Sequence, residues 1–444
     1  MGIVIVHHTD HESNCLNDLY WGLYNINHTG QECCGVALFD GDRISSETYE
    51  GLVRAYKASP HLKGYCGIGN TSTILDHQPR LFESPKLGLF ALTFDGHILN
   101  EEGLRHETRE LFSTKYQVEL AAKLIAQGKD FPDGIKKLSK AVVGPFCLGI
   151  LTESGEIFIA RCPMATRPLI LGENRGKYGA VTESRGFANM DMHLTRDVGA
   201  GEIIKVDDFG FHTVDRIGGK PRKICSFLHG YYSWVDCVVD GIPVNVARER
   251  VGALMAEKDE GLDVDVVCGV PDSGKAYAEG YAQAKGCRYS ELLIKWAYAL
   301  RSYTRPTQEE RNIEADAKIS SVKSRIEGKK VVLFDDSIRR GTQVKQRPIR
   351  YLKQNGAKEI HLRIGSPRNT AYCRFAPIEA SDESLLANQL DTDEKVAEYL
   401  GVDSVKFPSI DEFVNGIIEG SNLEKDDLCL GCYSRDFSFA GIEL

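Results

Sequence analysis

Val331-Val332-Leu333-Phe334-Asp335-Asp336-Ser337-Ile338-Arg339-Arg340-Gly341-Thr342 runs four consecutive apolar residues into two adjacent acids and a small polar turn. Four apolar residues in a row suit a strand buried on both faces of a parallel sheet, and the segment that follows, through Leu352, has helical character. At the carboxyl end of such a strand, loop amides and the positive end of the next helix face one point. A phosphate is then expected on Gly341 and Thr342, with the acids taking ribose hydroxyls. The same local pattern also fits an ordinary strand, loop and helix whose acids cap the helix.

A chain of 444 residues is too long for one core, so two domains of about 200 residues each are expected. Residues 1–220 hold short β-like runs such as 35–39, 88–92 and 147–151, separated by an amphipathic stretch, Val118 to Gln127. They predict a layered α+β domain. After Gly219-Lys220-Pro221-Arg222-Lys223, which has linker chemistry, strand and helix patterns alternate over 264–270, 276–285, 331–334, 344–355 and 360–364. That alternation predicts an α/β domain with a parallel sheet over 221–444.

The formal charge of −9 and the lack of a long basic stripe argue against nucleic acid as the main partner. No apolar run approaches the roughly 18 residues of a membrane span, and the first residues lack a charged n-region and a cleavage site. Thirteen cysteines without a secretion signal point to reduced thiols or metal ligands in the cytoplasm.

A second anion loop, Val270-Pro271-Asp272-Ser273-Gly274-Lys275, follows one predicted strand and precedes a helix, so its amides can form a nest. Together the two loops resemble the phosphoribosyl pyrophosphate (PRPP) sites of type I phosphoribosyltransferases. In its Asp-Asp-Ser-Ile-x-Arg-Gly-Thr form the signature is most similar to the glutamine PRPP amidotransferase (amidophosphoribosyltransferase) family, glycosyltransferases that make 5-phosphoribosylamine for purine synthesis.

The resemblance implies that Pro271, Asp272, Ser273 and Gly274 grip pyrophosphate. It adds Lys295, Ser337, Arg340, Gly341 and Thr342 to the substrate set, and extends to the segment with Arg301, Gln308 and Arg311, which looks like the loop that folds over PRPP. The chemistry needs positive charge against a departing pyrophosphate. Arg301 and Lys318, with Mg²⁺ held by the substrate and by Asp335 and Asp336, would supply it. Ala297, Leu300, Asp316 and Gln343-Val344 depart from the family pattern and bear on the acceptor or on lid closure.

Cys429-Leu430-Gly431-Cys432 alone could be a zinc half-site, a redox pair or neither. Ile224-Cys225 and the 366–373 segment ending in Cys373 resemble the other places from which iron–sulfur members of the family draw ligands. Cys225, Cys373, Cys429 and Cys432 are therefore expected to hold a [4Fe–4S] cluster; Zn²⁺ also accepts four thiolates.

Residues 2–4, 19–24, 30–32, 67–69, 95–96 and 167–169 track the family's N-terminal-nucleophile glutaminase domain. That chemistry needs a cysteine at the mature amino terminus, where the chain's own amine, with a pKa of about 8, activates the thiol. Met1 occupies that column. The column of the arginine that pairs with the glutamine carboxylate holds Ser72, that of the oxyanion-donating asparagine holds Asp95, and the Ser-Asp pair that grips the substrate is Tyr116-Gln117. Thr29 replaces an arginine before the Gly-Gln pair. Glutaminase activity is expected to be absent.

The expectation is a cytoplasmic enzyme that takes PRPP and ammonia, with purine nucleotides as candidate regulators and a homo-oligomeric state implied by the resemblance. Transfer to another amine, and a non-catalytic PRPP- or nucleotide-binding regulator, stand as alternatives.

Overall fold

The computed structural model describes residues 1–108, 111–296, 319–376 and 380–442. In the first domain a seven-stranded sheet faces a six-stranded one, and every pairing in both is antiparallel. The strand Gly2–His8 shows how sequence sets the layers. Ile3 and Ile5 enter the core between the sheets, whereas Val4 and Val6 enter the core beneath the helix Leu16–Asn25. This is the period of two of a strand with both faces apolar. On the far side Leu92, Phe94, Leu148 and Ile150 pack against the helices Gln117–Ala126 and Phe131–Ala141. Helix, sheet, sheet and helix therefore form four layers.

The sequence pattern foresaw one helix here, and the structure adds Leu16–Asn25, Glu101–Thr108 and Phe131–Ala141. The last is capped by Asp130, which accepts from the Asp133 amide at 2.8 Å and has proline in its first turn, a combination that starts helices well.

The last strand of this unit, Gly210–Arg216, leads to the second domain. Its sheet consists of Val266–Gly269, Lys330–Asp335, Glu359–Ile364 and Ser404–Lys406, in that order and all parallel. Val331 and Leu333 enter one core, and Val332 and Phe334 the other, so the run is buried on both faces as its composition implied. The expected helix over 344–355 is a compound one, Thr342–Val344, Lys345–Ile349 and Arg350–Gln354, whose middle turn is wide. Pro348 lies in that turn, and its missing N–H cannot serve the ordinary ladder.

Behind the sheet the fully buried Arg363 donates to both carboxylate oxygens of Asp259, at 2.6 and 2.9 Å. Tyr281 Oη and Lys406 Nζ donate to the same carboxylate, at 2.8 and 2.7 Å. The two domains are tied by Arg161, which donates to both oxygens of Asp240 at 2.8 Å each. No helix among the described residues is long and apolar enough to cross a membrane.

Candidate active site

The strand Lys330–Asp335 ends at a cavity of about 880 Å³. Ser273, Asp335, Asp336, Ser337, Arg340, Gly341 and Thr342 line it, with Tyr231, Tyr232 and Tyr372. Two loops meet there because two neighbouring parallel strands end together: Val270 N donates to Phe334 O at 2.8 Å. The approach is too close for a side chain at 274, where a Cβ would lie 2.4 Å from Phe334 O. Gly341 turns the second loop with φ of +75°, a conformation glycine adopts without steric cost.

Ser273 Oγ donates to Asp336 Oδ2 at 2.5 Å, and Ser337 Oγ to Asp336 Oδ1 at 2.6 Å. The 271–274 loop and the acid loop are thus joined by a hydrogen bond. Burial pushes the Asp335 carboxyl well above its usual range, and the charge of Asp336 adds to this. Burial also raises Asp336, although Ser273, Ser337 and the Arg248 guanidinium favour its ionised form. Carboxylates held so close are hard oxygen donors, suited to Mg²⁺ or to ribose hydroxyls that relieve their shared charge.

Pro271, Asp272 and Lys295 lie next door, in a cavity of about 390 Å³ that shares Tyr231, Tyr232 and Ser273 with the first and also touches His28 and Trp234. Lys295 Nζ donates to Asp272 Oδ2 at 2.6 Å. Gly274 is the turn beneath this loop, its amide donating to Val270 O at 3.0 Å. Arg301, Gln308, Arg311 and Lys318, with the departures Ala297, Leu300 and Asp316, fall outside the described residues.

Sequence reasoning passed over Arg248, which is buried and donates to His229 O and Ser233 O at 2.7 and 2.8 Å. It also passed over Tyr231, Tyr232 and Tyr372. None carries a local motif, and each reaches the site from a remote segment.

The four expected thiols are gathered in one place. Cys225 and Cys429 stand opposite each other in a short parallel pair, Ile224–Cys225 with Leu428–Cys429. The carbonyl of Cys432 accepts from the amides of Thr370 and Ala371, at 3.0 and 3.2 Å, and so draws in the segment bearing Cys373. Every pair among the four is within electrostatic reach. Burial pushes Cys225 up to about 11 and raises Cys429 and Cys432 further. Among the described residues no group of three or more histidines, cysteines and acids converges on a single metal ion. Four thiols from three segments, Cys429 buried and Cys225, Cys373 and Cys432 half-buried, fit the donor set of an iron–sulfur cluster.

The first domain has its own cavity, of about 610 Å³, lined by Met1, Asp76, Gln78, His97, Glu101, Tyr116 and Gln117 among others. Its would-be substrate groups are spent on the protein itself. Gln117 accepts from Ile98 N at 2.8 Å and donates to Ile98 O and Glu101 Oε2, at 3.1 and 2.7 Å. Ser72 Oγ accepts from Ile74 N at 3.3 Å, and Thr29 Oγ1 donates to Ile26 O at 2.7 Å. The Met1 amine is buried, which lowers its pKa, and Asp95 is the carboxylate that most opposes this.

A model of the glutamine amidotransferase domain matches residues 71–187. An amidophosphoribosyltransferase of Methanocaldococcus jannaschii is 31% identical over 96% of this chain and 94% of its own length. That of Bacillus subtilis is 31% identical over 94% of this chain and 90% of its own. A solved structure of glutamine PRPP amidotransferase from B. subtilis, complexed with ADP and GMP, superposes with a TM-score of 0.88 at 30% identity, covering 98% of this chain and 97% of that one. A structure described as the allosteric regulatory enzyme of purine biosynthesis gives 0.87 at 29% identity, over 98% of this chain and 96% of that one. The chain, an N-terminal-nucleophile-type domain followed by a phosphoribosyltransferase domain, belongs to the amidophosphoribosyltransferase family.

Proposed function

We propose that this protein displaces pyrophosphate from PRPP with ammonia, giving 5-phosphoribosylamine for purine synthesis, and that it does so without hydrolysing glutamine. The observation that carries the reading is the Ser273–Asp336 hydrogen bond, which joins the two anion loops over one cavity while the first domain offers no nucleophile at residue 1.

In the reaction the nitrogen lone pair forms a bond to C1 of the ribose. The bond from C1 to the pyrophosphate oxygen breaks, its electron pair leaves with pyrophosphate, and the nitrogen sheds a proton. The Asp272 and Ser273 amides face the leaving group, the 341–342 amides the 5-phosphate, and Asp335 and Asp336 the ribose hydroxyls and the positive charge that develops at C1. Mg²⁺ carried by the substrate would add positive charge against the departing pyrophosphate. Cys225, Cys373, Cys429 and Cys432 would hold a [4Fe–4S] cluster whose role is structural, tying the carboxyl-terminal tail to the rest of the second domain.

Loss of the first domain's chemistry is supported by several independent positions. Removing one oxyanion donor alone costs about 10² to 10³ in rate, and Asp95 puts an acceptor where a donor is needed. A second reading, transfer to a larger amine, is favoured by the adjoining cavity of about 390 Å³ with its Tyr231, Tyr232 and Trp234 walls.

The test is pyrophosphate release from PRPP and Mg²⁺ by anaerobically prepared protein, with ammonium, with glutamine and with no amine, beside Asp335→Asn/Asp336→Asn. Release with ammonium, lost in the double variant, is expected. PRPP binding without release under any of these conditions would refute ammonia as acceptor and leave a larger amine or a regulatory role.

A further inference from the structure

Residue 339 is the position that the Asp-Asp-Ser-Ile-x-Arg-Gly-Thr signature leaves open, and here it is an arginine. Between Asp335, which ends its strand, and Thr342, which begins the next helix, the substrate loop must be held by contacts from elsewhere. Ser273 holds its start through Asp336. Its middle is held at Arg339, by backbone and side chain alike. The Arg339 carbonyl accepts from Leu386 N at 2.6 Å. Its half-buried guanidinium stands over two rings at once, 5.3 Å from the centroid of Phe227 and 5.6 Å from that of Tyr372.

The two rings come from remote segments and are themselves fixed. Phe227 packs against a core of the second domain and meets Tyr231 with 5.6 Å between ring centroids. Tyr372 is buried; its amide donates to Asp382 Oδ1 at 2.8 Å, and its hydroxyl lies 3.2 Å from Ser384 Oγ. Phe227, Arg339 and Tyr372 all line the cavity of about 880 Å³. Phe227 stands two residues after Cys225 and Tyr372 one before Cys373, so Arg339 reaches two of the three segments that carry the gathered thiols. Among the described residues no carboxylate comes within ion-pair reach of the guanidinium. Aromatic faces attract a cation most strongly where water is excluded, and a planar guanidinium stacks on them with its in-plane N–H groups still free.

We propose that Arg339 is a positioning residue: stacked on Phe227 and Tyr372, it clips the 335–342 loop to the wall of the PRPP cavity and so fixes the Gly341 and Thr342 amides where the 5-phosphate binds. The inference rests on PRPP as the ligand of this cavity and is independent of which amine attacks it. The clip has two ends, the guanidinium and the rings, and losing either frees the same loop. Pyrophosphate is held by the other loop, at Asp272 and Ser273, and does not depend on the clip.

Binding of PRPP, of ribose 5-phosphate and of pyrophosphate is read by calorimetry with Mg²⁺ and no amine. Arg339→Leu and Tyr372→Leu should each weaken PRPP and ribose 5-phosphate about tenfold, the size of one desolvated cation–π contact, and leave pyrophosphate unchanged. The double variant should be no weaker than either single one, as two ends of one contact require. Arg339→Lys and Tyr372→Phe keep the charge and the ring and should stay within about threefold of the wild type. Losses that add in the double variant, a loss shared equally by pyrophosphate, or affinities that the leucine variants leave unchanged would each overturn the clip. A wild type that binds neither PRPP nor ribose 5-phosphate refutes the proposed reaction and the clip together. The expected pattern of losses, in a protein that releases pyrophosphate with no amine tested, upholds the clip and refutes the reaction.

Discussion

The two large cavities make an instructive pair. Around 335–342 the polar groups line a cavity: burial raises both Asp335 and Asp336, Ser273 and Ser337 each donate to Asp336, and Ser273 thereby joins the two loops. Around Met1 the corresponding groups point back into the protein. Gln117 ties down the 98 and 101 segments, and Ser72 and Thr29 close local turns. Two buried acids kept side by side at a cavity cost stability, whereas at Met1 the groups in the expected glutamine-binding positions serve the fold. The packing around both is equally complete, because layers of apolar residues hold a fold whether or not the residues at its edge still do chemistry.

The contrast can be broken or sharpened at four places. Asp335→Asn/Asp336→Asn should lower ammonium-supported pyrophosphate release by about 10³-fold or more, with the melting temperature held or raised, because a charged pair that burial disfavours has been made neutral. A release assay beside a thermal melt checks both.

Asp259→Asn should cost about 3–5 kcal/mol, as breaking one side of a buried pair does, and urea unfolding would measure it. Burial alone would raise the Asp259 carboxyl, but the hydrogen bonds and charges of Arg363 and Lys406, with Tyr281, outweigh it and lower its pKa. Its folded value therefore lies below the unfolded one of about 3.9. The stabilisation is full above that unfolded value and is lost as pH falls through the folded one. The gap between wild type and Asp259→Asn should accordingly narrow only in strong acid.

Gly274→Ala places a methyl 2.4 Å from Phe334 O and should raise the KM for PRPP about tenfold by moving the pyrophosphate loop; steady-state kinetics would show it. The smallest effect belongs to the first domain. Cysteine at the mature amino terminus in place of Met1 should leave glutamate production at background, since Ser72, Tyr116 and Gln117 hold no substrate carboxylate.

Much of this was legible in the sequence because it is local. The 331–334 run announced a strand buried on both faces, and the acids and glycine after it are the residues that line the cavity at its end. The helix Leu16–Asn25 escaped because its aromatic residues blur the apolar period, whereas Phe131–Ala141 carries a clean one, with Phe131, Ile135 and Leu138 on its buried face, and was legible all along. Pro348 widened a helix that the pattern drew as regular. Arg248 and Tyr232 escaped for a different reason: each is an ordinary residue in its own segment, and only the fold brings it to the cavity. The pairing of Cys225 with Cys429 is of the same kind, since Ser226, the residue after Cys225, already lies 203 positions from Cys429, a span no local pattern crosses.

The most direct measurement compares pyrophosphate release from PRPP supported by ammonium with that supported by glutamine in one anaerobic preparation, while glutamate is counted. Release with ammonium, none above background with glutamine, and no glutamate would be the predicted result. Release driven by glutamine with matching glutamate would contradict it, and would mean that the first domain retains a nucleophile.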